Sequence, residues 1–380
     1  MLAKRVHQLE SSGIRRLFEL GLKMKNPIDL SLGQPDFDVC DAVKKSAIAA
    51  IEAGKNRYTP TAGIPELRNL LSQKLKDEGV HTYKNVVITA GGSGGLNLAL
   101  YAIADDSCDI YLLDPCFLVY PQMVKLVGAE AVFVSTYPSF RVTPERLAEA
   151  VKNREAELAQ KGLPKKRKIL LFNSPNNPTG VVYSRAEVQA LAAKTRELNF
   201  QVISDEVYDV FNFDQEHVTW GEFDEQAIVL RAFSKTGGMP GWRIGYASAP
   251  TIVFDQMLKM QQFTYICINT PAQWACLTLL ETDFSPMVQE YRSRRDLICS
   301  LLDQEGFKYE RPGGSFFIFP YHGVSDPAEF NRLCVERELL VVPGELFSKK
   351  NTNFRLSFSA KPEILAKGVK ILGQVAAGLK

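Results

Sequence analysis

The 380-residue chain is short of histidine, has no paired-cysteine motif and carries no surplus of one charge. Its four histidines, His7, His81, His217 and His322, lie far apart, which argues against a clustered metal site or a histidine-dependent triad. The seven cysteines are odd in number and never spaced Cys-x-x-Cys. That pattern suits reduced, mostly structural thiols and a cytoplasmic setting more than a disulfide framework. With 45 Lys and Arg against 43 Asp and Glu, the formal charge is only +2, which leaves no electrostatic footprint for nucleic acid or an anionic membrane. No apolar run approaches the length of a membrane span, and no repeat or low-complexity linker divides the chain. The first 25 residues include Glu10 and Glu19 and lack an uninterrupted apolar core, which speaks against a cleaved secretory signal. Within them Ile14, Leu17, Phe18 and Gly21 fall at helical spacing, which predicts an amphipathic segment packed on the body of the protein.

A hydrophobic content of 46% over this length is enough to bury a large core. From about residue 85 to 250, short apolar runs alternate with helical patterns such as Pro144 to Ala159 and Arg185 to Leu198. The runs Val86 to Thr89, Asp109 to Leu113, Ala131 to Val134, Lys168 to Phe172, Gln201 to Ser204, Ala227 to Arg231 and Ile244 to Ala247 read as strands. That alternation predicts an α/β fold with a mainly parallel sheet covered by helices. After a charged helical run, Met287 to Asp303, strands near Ser315 to Phe319 and Phe354 to Phe358 suggest a smaller α+β domain. We place the large domain at 39–285 and build the small one from 1–38 and 286–380.

Four segments carry chemistry. Ala90-Gly91-Gly92-Ser93-Gly94-Gly95 follows a strand and precedes a helical pattern beginning at Leu96, so its amides suit an anion at a helix N-terminus. It lacks the Gly-Lys-Ser/Thr of a nucleotide loop and the last glycine of the dinucleotide fingerprint. Asn173-Ser174-Pro175-Asn176-Asn177-Pro178-Thr179-Gly180 is a rigid turn with amide donors at a strand end. Gln201 to Tyr208 is a strand ending in Asp205, where open α/β sheets meet their ligands. Ser234-Lys235-Thr236-Gly237-Gly238, followed by Arg243, sets a lysine among small residues, where desolvation and a nearby cation favour the neutral, nucleophilic amine. Taken singly, each has an ordinary alternative: a surface lysine, a helix cap, a plain turn.

In this order they resemble the class I, fold-type I pyridoxal-phosphate-dependent aminotransferases, of the aspartate and aromatic amino acid branch. Further matching stretches are Leu32-Gly33-Gln34-Pro35-Asp36-Phe37, Arg57 to Arg68, Gly313 to Pro320 and Asn353 to Ser359, so the resemblance covers nearly the whole chain. It implies that Lys235 carries pyridoxal 5′-phosphate covalently, releases it to the substrate amine and shuttles a proton between the substrate α-carbon and the cofactor C4′. Asp205 would face the pyridine nitrogen, Tyr208 and Asn177 the ring hydroxyl oxygen, and Phe117 the ring face. Gly92, Ser93, Gly94, Ser234 and Arg243 would cradle the phosphate, joined by Tyr58 from the other subunit of a homodimer with shared active sites. Arg355, with Gly33 and Asn177 nearby, would clamp the substrate α-carboxylate. Some similar members carry, at the Ser93 position, a lysine that pairs with a distal carboxylate, and tryptophan where this chain has Phe117. Those departures, with the Phe316-Phe317-Ile318-Phe319 run, lead us to expect aromatic or apolar amino acids to serve at least as well as aspartate, with 2-oxoglutarate as acceptor. The competing readings are a carbon–sulfur β-lyase working through the same lysine and a non-catalytic cofactor-binding regulator.

Overall fold

Two-sided burial shapes the central sheet. Along Cys108–Asp114 (β3) and Arg167–Asn173 (β5), Tyr111, Leu113, Leu170 and Phe172 enter one apolar cluster, while Ile110, Leu112, Ile169 and Leu171 enter another. Strands buried on both faces read as continuous apolar runs, which is why these segments stand out in the sequence. The computed structural model describes residues 4–9, 13 and 19–379. Ile14, Leu17 and Phe18 of the expected amphipathic segment lie outside the described residues.

The chain enters through a short strand, Ile28–Asp29 (β1), then two helices, Asp41–Glu52 (α1) and Pro65–Asp77 (α2). Val86–Thr89 (β2) leads to Gly91–Ile103 (α3), and β3 to Val119–Leu126 (α4), Glu130–Ser135 (β4) and Pro144–Gln160 (α5). After β5 come Arg185–Glu197 (α6), Phe200–Asp205 (β6), Ile228–Ala232 (β7), the single turn Phe233–Thr236 (α7) and Gly245–Ser248 (β8). Thr251–Thr264 (α8), Thr270–Leu280 (α9) and Ser285–Gln304 (α10) follow. The last part holds Phe317–Ile318 (β9), Pro327–Glu336 (α11), Leu339–Leu340 (β10), Val342–Pro343 (β11), Phe354–Ser357 (β12) and Pro362–Ala377 (α12).

The seven-stranded sheet has the order β2-β8-β7-β6-β5-β3-β4 and is parallel except for β8, which runs against both neighbours. This agrees with the mainly parallel fold expected from the sequence. Helices cover both faces: α5 and α6 contribute Leu147, Val151, Val188 and Leu191, while α3, α4 and α8 contribute Leu98, Met123 and Met257. Local chemistry starts these helices where the sequence suggests. Thr143 accepts from the Arg146 amide ahead of α5, and Ser184 and Glu187 form a reciprocal capping box on α6.

A separate apolar cluster, including Phe316, Phe330, Phe354 and Leu365, lies with the three-stranded antiparallel sheet β11-β12-β9. The strand expected over Ser315 to Phe319 is reduced to two residues. Upstream of it the chain bonds to the large sheet's turns instead: the amides of Gly313 and Gly314 donate to Gly180 O, and that of Ser315 to Phe211 O. The glycine segment also departs from expectation, because α3 begins at Gly91 and not at Leu96. Gly91 has φ +70, and a Cβ on Gly92 would lie 2.7 Å from Val207 Cγ1, so only side-chain-free residues allow the helix to start so close to β6.

Behind the sheet's carboxyl ends sits a charge cluster centred on buried Arg231, which pairs with Glu206, Glu78 and Asp209. Glu206 accepts from Arg231 Nε at 3.1 Å and Nη2 at 3.0 Å, from Ser204 and Thr219 hydroxyls and from the Trp220 amide, and meets His217 Nε2 at 2.9 Å. Burial pushes its carboxyl up, but the Arg231 charge and then His217 outweigh that and bring it down to about 2. Arg231→Met leaves this carboxylate without its buried cation and should destabilise the fold by about 3–5 kcal/mol in a denaturant titration. A loss under about 1 kcal/mol would show that His217 and the hydroxyls are sufficient partners.

Candidate active site

The carboxyl ends of β5, β6 and β7 converge with the start of α3 on a cavity of about 280 Å³. Strand order reverses at β3, with β4 on one side and β5 on the other, and such a switch point leaves a crevice at the strand ends. Gly33, Gly92, Ser93, Phe117, Asn177, Asp205, Tyr208, Ser234, Lys235, Arg243 and Arg355 all line it. Two expected site residues do not. Gly94 is packed inside the first turn of α3, where a Cβ would meet Ala90 Cβ at 2.8 Å, and Tyr58 is 80% exposed on the surface.

Lys235 stands on α7, directly after β7, and its Nζ donates to Gly33 O at 2.5 Å. Burial first, then the Arg355 and Arg243 charges, bring its amine down to about 8, against a smaller upward pull from Asp205. Asp205, at the end of β6, is pushed up to about 6 by burial. Two donors oppose that push: Tyr120 Oη at 2.7 Å from Oδ2 and the Val207 amide at 3.3 Å from Oδ1. Tyr208 is buried edge-on against Phe316 and Phe317, its hydroxyl raised by burial and bonded to the Asn177 side chain.

Arg355, on β12, is 1% exposed. Its Nη1 donates to Asn177 Oδ1 at 3.0 Å and its Nη2 to Ser31 O at 2.8 Å, while its Nε has no partner. The guanidinium lies 4.2 Å from the Phe317 ring centroid and is lowered to about 10, chiefly by burial. Among the described residues no carboxylate lies within ion-pair distance of it. Arg243 has φ +54, and its Nη1 and Nη2 donate to Pro240 O and Ala90 O at 3.0 and 3.2 Å. A Cβ on Gly91 would come within 3.0 Å of Arg243 Nη2, so this cradle closes only around glycine.

Sequence reasoning missed Tyr120 and Asn173, which also line the cavity. Tyr120 follows Phe117 by three residues and packs edge-on against it at 5.5 Å, so a helical period from Phe117 marks it, although its aim at Asp205 is a matter of tertiary structure. Asn173 Nδ2 donates to Asp205 O and its Oδ1 accepts from the Asn177 amide, tying the turn to the end of β6. The Phe316 to Phe319 run is fully buried core and does not line the cavity. Phe316 and Phe317 instead back Tyr208 and Arg355 because β9, at the edge of the smaller sheet, pairs with β12, the strand that carries Arg355.

A lysine whose amine burial draws down to about 8, a buried carboxylate and an arginine without a counter-ion among the described residues, gathered at the carboxyl end of a mainly parallel sheet, are the groups that a fold-type I pyridoxal-phosphate site calls for. The residues fit that group: the glycine cradle beside Arg243 suits a phosphate, and Asp205 suits a pyridinium. A family model described as aminotransferase class I and II matches residues 25–372. The chain is 32% identical to a probable aspartate aminotransferase from Methanocaldococcus jannaschii, over 99% of this chain and 100% of that one. It is 30% identical to aromatic-amino-acid aminotransferase 2 of Thermococcus litoralis, over 98% of each. It also superposes on the aspartate aminotransferase from Thermus thermophilus with maleate at a TM-score of 0.91, with 32% identity over 99% of both chains. The chain belongs to the class I and II aminotransferase family and is a pyridoxal 5′-phosphate-dependent aminotransferase.

The displacement of Asp205 has a sign that can be measured. A carboxyl raised from 3.8 to about 6 contributes stability below pH 3.8 that is lost as the pH climbs through about 6. Asp205→Asn should make the cofactor-free protein more stable than the parent by about 3 kcal/mol at pH 8, with the gain shrinking towards pH 5. Thermal melts with no gain at pH 8 would show that Tyr120 and the Val207 amide fully offset the burial.

Proposed function

We propose that this enzyme moves an amino group from an aromatic or other apolar α-amino acid, with aspartate as a further donor, to 2-oxoglutarate. The observation that carries this reading is Arg355, a buried guanidinium with no carboxylate partner among the described residues and a free Nε. A substrate α-carboxylate supplies the missing charge in a paired hydrogen-bond geometry. Lys235, Arg243 and Arg355 are the cations among the described residues lining the cavity. With those three assigned to cofactor, phosphate and α-carboxylate, no lining cation is left for a distal carboxylate, so that of aspartate or 2-oxoglutarate would rest on hydrogen bonds while an apolar side chain needs none.

When bound, the cofactor supplies a pyridine ring that withdraws electrons from the substrate α-carbon. Asp205, steadied by Tyr120, would hold negative charge for the ring nitrogen. Tyr208 and Asn177 would serve the ring hydroxyl oxygen, and Phe117 would cover the ring face. The first-turn amides of α3 at Gly92 and Ser93, with Ser234 and Arg243, would hold the phosphate, while Gly94 keeps the turn compact behind them. Lys235 would carry the cofactor and, once that is released to the substrate amine, would serve as the base that takes the substrate α-proton, a task suited to an amine drawn down to about 8. Gly33 and Asn177 flank the carboxylate on Arg355.

Exposed Tyr58 supports a homodimer in which each subunit lends this residue to its partner's phosphate site; Phe263 and Ile252 are similarly exposed apolar surface. The seven free cysteines support a cytoplasmic setting. The separate apolar cluster under β9 and β12 supports a division into a large unit, 39–285, and a small one, 1–38 with 286–380.

A panel of amino donors with 2-oxoglutarate tests the substrate reading. Phenylalanine, tyrosine, leucine or methionine should match or exceed aspartate in kcat/KM. A tenfold advantage for aspartate, about 1.4 kcal/mol in transition-state binding, would overturn it. Pyruvate and ammonia from cysteine conjugates, without glutamate formation, would point to a β-lyase. Mixing separately inactive Tyr58→Ala and Lys235→Ala proteins should restore part of the activity through hybrid dimers, since one site then has both intact residues. Hybrids shown to form without any recovery would rule out sharing.

A further inference from the structure

Residues 31–37 link β1 to α1 as an irregular strap beside the cavity, which Gly33 lines. Two strap carbonyls are held by site residues: Ser31 O by Arg355 Nη2 and Gly33 O by Lys235 Nζ. On the reading above, Arg355 must also hold a carboxylate and Lys235 must also hold the cofactor. Lys235 therefore gives up Gly33 O when it holds the cofactor, and Arg355 divides its five N–H donors between the strap and the carboxylate.

A third anchorage draws on no site residue. Asp36 Oδ1 accepts from Tyr291 Oη at 2.9 Å, while the Asp36 amide donates back to the same oxygen at 3.2 Å. Asp36 Oδ2 pairs with Arg294 Nη1 at 2.9 Å. Tyr291 and Arg294 lie one turn apart on α10, both buried, with the guanidinium 5.1 Å from the Tyr291 ring centroid. Arg294 is fixed further by Ser359 O and Glu290. The next strap residue, Phe37, packs edge-on against Tyr291 at 6.0 Å. Its ring and carbonyl also close on Gly238, where a Cβ would lie 2.8 Å from each. The end of the strap is thus wedged between α10 and the glycine loop that follows Lys235.

We propose that Asp36, held by Tyr291 and Arg294, is a positioning residue that fixes the 31–37 strap so that Gly33 is presented to Lys235 and the Ser31–Gly33 backbone forms the wall beside Arg355. The inference rests on the reading of Lys235 and Arg355 given above. Without the latch the strap samples other arrangements, and apparent affinity falls in proportion to the competent fraction. The chemical step, carried out once the strap is in place, is largely spared.

In the holoenzyme, Asp36→Ala should raise KM for both amino donor and 2-oxo acid about tenfold or more, with kcat within about threefold. Asp36→Asn, which keeps an acceptor for Tyr291 but loses the ion pair, should fall between this variant and the parent. Tyr291→Phe keeps the ring and its packing while removing both hydrogen bonds, and should raise KM in the same direction. Hydrogen exchange at Gly33 and Gln34 should quicken in all three. A lower unfolding temperature with unchanged KM and unchanged exchange would make Asp36 a purely structural contact and overturn the proposal. Should Asp36→Ala fail to fold, Asp36→Asn and Tyr291→Phe decide the matter alone. If the parent protein does not transaminate, the functional reading fails; unchanged strap exchange in the variants sinks the latch whatever the reaction.

Discussion

An electrostatic imbalance governs this molecule: among the described residues, Lys235, Arg243 and Arg355 share one cavity with a single carboxylate, Asp205. Desolvation makes such an arrangement unfavourable, and the three buried groups show it in the expected directions. Lys235 and Arg355 are pulled down and Asp205 is pushed up, each towards its neutral form and each chiefly by burial. A phosphate and a carboxylate are the ligands that relieve this. The glycines clear space around the exposed Arg243, and the aromatic rings behind Arg355 keep that buried guanidinium dry and aimed.

The neighbouring residue shows what compensation looks like in the same fold. Asp205 and Glu206 are adjacent, so their side chains leave the chain in opposite directions. Glu206 meets Arg231, His217, two hydroxyls and an amide and titrates far below its usual range, whereas Asp205 has two donors and is raised. One carboxylate has a buried cation beside it; the other has a donor on each oxygen but no ion-pair partner among the described residues. A buried carboxylate in a cleft without a paired cation is a physical mark of function, and here it is set by which face each residue takes.

That contrast also explains what could be read from the sequence. Lys235, Asp205 and Asn177 were legible because each stands at a strand end flanked by small or turn-forming residues, a pattern local in the chain. The start of α3 was misplaced because glycine is a poor helix former, and the overriding reason, the close approach of Val207 and Arg243, is tertiary. The Phe316 to Phe319 run pointed towards the substrate until the smaller sheet buried it. Tyr120 meets Asp205 across 85 positions and Asp36 meets Tyr291 across 255, separations at which no periodicity survives.

Stability and function are therefore opposed within the same residues. Each site group would be easier to bury if it were neutral or paired, so the folded chain without its ligands holds a less stable active site than its architecture could provide. Anything that binds the folded form and not the unfolded one shifts that balance by mass action. The anions that this cavity selects thus complete both its chemistry and its electrostatics. The Glu206 cluster behind the strand ends shows the opposite outcome in the same fold: there a buried carboxylate already has its cation, Arg231, at 3.0 Å and is held in its charged form without any ligand.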